Sequence, residues 1–231
     1  TRKMEFFSHI FGFNSESPLL FTQFYFWAFF ALVYAVFALI MEVGAQSAQA
    51  IRREGEKAKG RNTRLHLRNV FLMAVSWFFY YKTSGLFLLL LLFVTLSDWL
   101  IAQRIYQAKG ERRKAKVWLA LSVVIDLGLL CYFKYAYFFT NVVNNLLGTE
   151  LAVFDLFAYI GNGFSESGRF MVDKIILPVG ISFYLFQVMS YTIDVYRGHI
   201  KPVKNILDFA FYVSFFPQLV AGPIVRANEF I

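Results

Sequence analysis

Charge is scarce in this chain of 231 residues, and cysteine and proline are scarcer. Only 16% of the residues are charged, against about 25% in soluble domains. A single cysteine, Cys131, excludes an intramolecular disulfide and any cysteine-rich metal site. It falls inside an apolar run, where a packed thiol is expected. With five prolines, most of the chain is free to stay helical. No P-loop, zinc-protease or G-x-S-x-G pattern is present. The three histidines, His9, His66 and His199, lack the apolar, partner-rich setting that tunes a general base. No cleavable signal peptide is visible, because the first apolar run is too long and lacks a small-residue cleavage site. Met4 reads as the start, with Thr1 to Lys3 ahead of it.

What the chain has in plenty is apolar and aromatic residues. They reach 58% and 20% of the total, with 29 Phe and 13 Tyr. A bilayer core about 30 Å thick needs roughly 20 mostly apolar residues per helix, and several runs here approach that length. The expected fold is all-α. It is a polytopic transmembrane helical bundle with broken or re-entrant helices in its C-terminal third. Residues 1–17 are too short to span and read as an interfacial segment. Residues 18–231 then form one membrane domain, with spans at about 18–43, 66–81, 86–103, 117–139 and 175–196. A broken or re-entrant segment follows at 206–225. Lys82 to Gly85 is a tight turn, and the word VFDLFAYI is a candidate short interfacial helix.

The net charge of +8 would suggest nucleic acid in a soluble protein. Here the basic residues lie in loops between apolar runs, so they report topology and no nucleic-acid partner is expected. Loop 44–69 holds seven Lys and Arg, loop 103–116 holds six, and 197–204 holds three; Arg226 brings the sum to 17 of 23. By the positive-inside rule these loops are cytoplasmic and the N-terminus is outside. The alternation closes without a misplaced loop.

Polar residues inside apolar spans are costly and therefore candidates for function. Asp98, near the cytoplasmic end of its span, is expected to be a helix-end carboxylate at the interface. Asp126 and Lys134 are eight residues apart, about 12 Å of helix, so each needs a partner on another helix, or Lys134 snorkels outward. The stretch LPVGISFYLFQVMSYTIDVYRG, residues 177–198, is too apolar for a loop and too polar for a lipid-facing helix. Pro178 and Gly180 break it near its start. Pro217, Gly222 and Pro223 interrupt the next apolar segment. Irregular backbone at membrane depth is tolerated where it is buried in protein or lines a cavity. Two readings fit both segments: the wall of a tunnel, or polar glue between helices.

The words LPVGISFYLFQ, SYTIDVYRG and FFPQLVAGPIVR resemble the membrane-bound O-acyltransferase family. They are most similar to its bacterial branch of alginate O-acetyltransferase and the D-alanyl transfer protein of teichoic acids. WFFYYKTSGLFLLLLL and YFKYAYFF resemble the same branch, so the likeness runs from about Ser17 onward. It implies an enzyme of the bacterial inner membrane that transfers an acyl group, acetyl in the first instance. The implied donor is a cytoplasmic acyl thioester resembling acetyl-CoA, with no bound cofactor and no metal. The implied acceptor is a cell-surface polysaccharide or an extracytoplasmic acyl-relay protein. The family's catalytic histidine lies beyond the GPIVR word, and none of His9, His66 and His199 matches it. No catalytic residue is therefore assigned, and the chain is expected to be the N-terminal portion of the enzyme. The implied tunnel residues are Pro178, Ser182, Gln187, Tyr191, Asp194, Tyr196, Pro217, Gln218, Gly222, Pro223 and Arg226. A non-catalytic transporter or scaffold subunit is the alternative, since broken mid-membrane helices also mark transporters. The two halves of the chain show no internal repeat.

Overall fold

In the computed structural model, residues 27, 29–39, 59–163, 173–215, 218–219 and 227 are described. The expectations for 1–17, for the ends of the first span, and for Pro217, Gly222, Pro223 and Arg226 lie outside these residues. Among the described residues the fold is all-helical, without a strand. The helices are α1 (Phe29–Leu39), α2 (Lys59–Ser84), α3 (Phe87–Gln107), α4 (Arg112–Leu130), α5 (Ala136–Leu147), α6 (Leu156–Gly163), α7 (Ile181–Arg197) and α8 (Ile206–Ser214).

The turn expected at Lys82 to Gly85 falls later, at residues 85–86, and Lys82 to Ser84 are still helical. Gly85 has φ 60° and its N–H donates to the Tyr81 carbonyl at 2.8 Å, which ends α2 and starts α3. With 21 residues, α3 is about 31 Å long, matched to a bilayer core. A four-residue turn, 108–111, reverses the chain into α4. Helices α4 and α5 are joined by a π turn, Cys131–Tyr135, into one apolar stretch of 36 residues. This stretch and α3 are each long and apolar enough to cross a membrane.

The π turn places neighbouring side chains on faces that a regular helix would separate. Phe133 is buried against Phe87 and Phe157. Cys131 is exposed, contrary to the packed thiol expected for it. Lys134 is also exposed, beside the Tyr135 ring. The Tyr132 hydroxyl accepts from the Leu156 N–H at 2.7 Å. Asp155 caps α6 by accepting from the N–H groups of Phe157 and Ala158. The short helix expected at VFDLFAYI is α6.

The core lies where α3, α4 and α7 pack on one another, with α8 closing against α2 and α3. Leu91, Val94, Leu185 and Val188 are fully buried there. Helix α7 starts at Ile181, later than the span expected from 175. Gly180 precedes it at φ 74°, a left-handed conformation that favours glycine. Pro178 ahead of it is buried. After α8, Phe215 leaves helical geometry at ψ 107° and residues 218–219 return to it.

Candidate functional site

The two interrupted segments singled out in the sequence meet. A side chain at Gly180 would run into the Leu219 carbonyl oxygen, so the start of α7 and residues 218–219 touch through backbone. About two turns further on, the Gln187 amide donates to the Tyr212 carbonyl of α8 at 2.9 Å and approaches the Gln218 side chain at 3.4 Å. Gln187 is buried and Gln218 half-buried. Buried amides keep such partners because an unpaired one costs about 1–3 kcal/mol.

Lower on α7, the Tyr191 hydroxyl accepts from the Val203 N–H at 3.0 Å. The Val203 carbonyl accepts from Trp99 Nε1 and Gln103 Nε2 of α3, both at 2.8 Å. Three side chains thereby fasten the basic loop 198–205 to the end of the bundle. Asp194 sits in the last turn of α7, 3.4 Å from His199 Nδ1 in the same loop. It is not part of the Gln187 cluster. Ser182 and Tyr196 are half-buried, and Tyr196 packs against the core.

A second polar cluster was only partly legible. Asp98 is 1% exposed and Asp126 0%. The interface position expected for Asp98 is therefore corrected: it points between α3, α4 and α7. Its Oδ1 accepts from the Ser122 hydroxyl at 2.6 Å, and Ser122 Oγ lies 3.2 Å from Thr192 Oγ1. Asp126 is one turn along α4, within electrostatic reach of Asp98 and Ser122. Asp126 does face another helix, but what it faces there is a second carboxylate, Asp98, and not the pairing partner expected for it. Thr192 belongs to the polar-studded stretch 177–198, whereas Ser122, Tyr80 and Tyr184 were not singled out from the sequence. A signal for one of them exists: the α3–α4 turn is short, Asp98 lies nine residues before Gln107, and Ser122 ten after Arg112. Nearly equal distances from a tight turn put two residues at about one level of a hairpin.

Among known proteins, this chain is similar to the Probable alginate O-acetylase AlgI of Pseudomonas aeruginosa, with 39% identity over 164 residues. The match covers 71% of this chain and 29% of that relative. The protein of the same description from Azotobacter vinelandii is also 39% identical over 164 residues, 71% of this chain and 30% of the relative. A Peptidoglycan O-acetyltransferase of Helicobacter pylori is 28% identical over 184 residues, 69% of this chain and 31% of the relative. The chain thus spans about a third or less of the length of these relatives. No family model matches the chain, and no solved structure matches it. The relatives are O-acetyltransferases by description. On these matches the chain belongs to the membrane-bound O-acyltransferase family.

Proposed function

We propose that this chain is part of a multi-pass O-acyltransferase of the bacterial inner membrane. It moves an acetyl group from a cytoplasmic thioester resembling acetyl-CoA to a hydroxyl of a cell-surface polysaccharide or to an extracytoplasmic relay protein. The observation that carries this reading is the 39% identity to an alginate O-acetylase over 164 residues. In the reaction the acceptor oxygen attacks the thioester carbonyl, the C–S bond breaks, an ester forms, and the hydroxyl proton ends on the departing thiol. A general base at a water-poor site favours that step. In this reading the base is a histidine in a part of the enzyme outside this chain.

The proposed contribution of this chain is the wall of the acyl path. Pro178, Ser182, Gln187, Tyr191 and Gln218 are its candidates among the described residues, with Asp194 and Tyr196 nearer the basic end. Pro217, Gly222, Pro223 and Arg226 belong to the same proposal. The basic loops face the cytoplasm and the N-terminus lies outside, following the charge asymmetry.

The test uses the full-length enzyme in sealed vesicles, with labelled acetyl thioester on the cytoplasmic face and an alginate oligosaccharide on the other. Label should appear as base-labile ester on the oligosaccharide. At matched expression, Gln187→Ala and Arg226→Ala should lower transfer more than His66→Ala. Equal rates in all three variants would remove the site assignment. Solute movement without ester formation would favour a transporter.

A further inference from the structure

Five side-chain oxygens inside the bundle are buried without a hydrogen-bond partner among the described residues: Tyr80 Oη, Asp98 Oδ2, both carboxylate oxygens of Asp126, and Tyr184 Oη. Each of the four residues is at most 1% exposed. They are also neighbours. The Tyr80 and Tyr184 rings meet edge to face with centroids 6.4 Å apart. Tyr184 lies within electrostatic reach of Asp126, and Asp126 of Asp98. We propose that Asp98, Asp126, Tyr184 and Tyr80 form a buried site that holds one proton and the water molecules bridging these side chains.

These oxygens carry an unmet demand for hydrogen bonds. An unsatisfied polar group in a protein interior costs about 1–3 kcal/mol, and five lie together here. Buried polar clusters of this kind are normally closed by internal water with two to four polar partners. The carboxylates add a second constraint. Two negative charges on adjacent side chains in a low-dielectric interior are not both sustained without a cation. Among the described residues, no lysine, arginine or histidine pairs with either. Asp98 already has a donor in Ser122, which supports its ionised form. Asp126 has none. A proton on Asp126 converts it into a donor facing an acceptor, which serves both groups.

The facing groups can be named helix by helix. Helix α3 supplies Asp98, α4 supplies Ser122 and Asp126, α7 supplies Tyr184, Tyr191 and Thr192, and α2 supplies Tyr80 and Ser84. These groups extend along the helices instead of converging. Tyr184 and Thr192 are eight residues apart on α7, about 12 Å of rise. A hard metal cation needs about six oxygens around one point, which a line of this length does not offer. A proton with bridging water suits it. The proposal does not depend on acyl transfer.

Infrared spectroscopy of the purified full-length protein in detergent tests it. At neutral pH the wild type should show the carbonyl stretch of a protonated carboxyl, shifted in D2O. The D98N/D126N double variant should lose band area equal to one carboxyl. Tyr184→Phe keeps the ring and should shift the band while leaving its area unchanged, which keeps the test valid if the double variant does not fold. A wild-type spectrum without such a band overturns the proposal, as does an area loss of two carboxyls. Removal of the band by added sodium chloride at constant ionic strength overturns it in favour of a cation site.

Discussion

Helix α4 has two faces that invert the usual order of a globular protein. Toward α3 and α7 it turns Ser122 and Asp126, both 0% exposed. Away from them it turns Val117 at 67% and Val124 at 68% exposed. Helix α5 carries the same outward character further: none of its residues is buried, and Phe138, Phe139, Leu146 and Leu147 all face outward. In water, burying carboxylates while exposing valine and phenylalanine would lose free energy on both sides. In a bilayer, polar groups are driven inward and the apolar surface is already solvated. The contrast between the two faces argues for a lipid environment more directly than composition does.

The strongest way to break the inner seam is through its backbone. Gly180→Ala adds a methyl group that meets the Leu219 carbonyl, at a residue held at φ 74°. The left-handed conformation costs a side chain roughly 1–2 kcal/mol, and overpacking typically adds about 1–3 kcal/mol. The expected loss is about 2–5 kcal/mol, read as a lower unfolding midpoint in detergent. The outer face is tested by Val124→Lys. A lysine near the centre of a spanning helix costs about 2.5–3.5 kcal/mol of insertion, so membrane-inserted yield should fall sharply. If the outer face is in water, Val124→Lys leaves yield and stability unchanged, and the inversion argument fails.

Much of this was legible beforehand. Apolar runs located α3 and α4, because length and hydropathy alone decide whether a segment can span. Gly85, Pro178 and Gly180 marked real breaks, because their backbone preferences act locally. The meeting of Asp98 with Ser122 was not read, because it depends on the register of a hairpin and on which face each helix turns inward. The exposure of Cys131 was missed for a related reason: the π turn departs from the 3.6-residue period on which any facing argument rests. Gln187 was identified from its position in a polar-studded apolar run. Its partners, the Tyr212 carbonyl and Gln218, come from a segment about 25–31 residues away, which a local pattern does not reveal.

A smaller effect separates polar contacts inside the seam from apolar ones. Gln187→Ala leaves the Tyr212 carbonyl without its side-chain donor in a buried setting. The expected destabilisation is about 1–3 kcal/mol, measured by thermal unfolding of the purified protein. Gln187→Met keeps the volume and restores none of the hydrogen bond, so it should recover packing only. If Met restores full stability, the amide is there to fill space, and the interior depends less on polar pairing than its composition suggests.

The smallest expected effect is also the sharpest comparison, because it repeats a substitution across the two regions. Gly128 lies on α4, two residues beyond Asp126, yet it is exposed and a Cβ there would meet nothing within 4 Å. Alanine is favoured over glycine in a helix interior by about 0.8–1 kcal/mol. Gly128→Ala should therefore raise the unfolding midpoint slightly, where Gly180→Ala lowers it. Opposite signs for one chemical change would show that α4 presents an unobstructed surface at this position, while the α7 junction is closed by backbone contact. A destabilising Gly128→Ala would mean that another helix packs closely on this face, and the outward face of α4 would then be an internal surface of the protein.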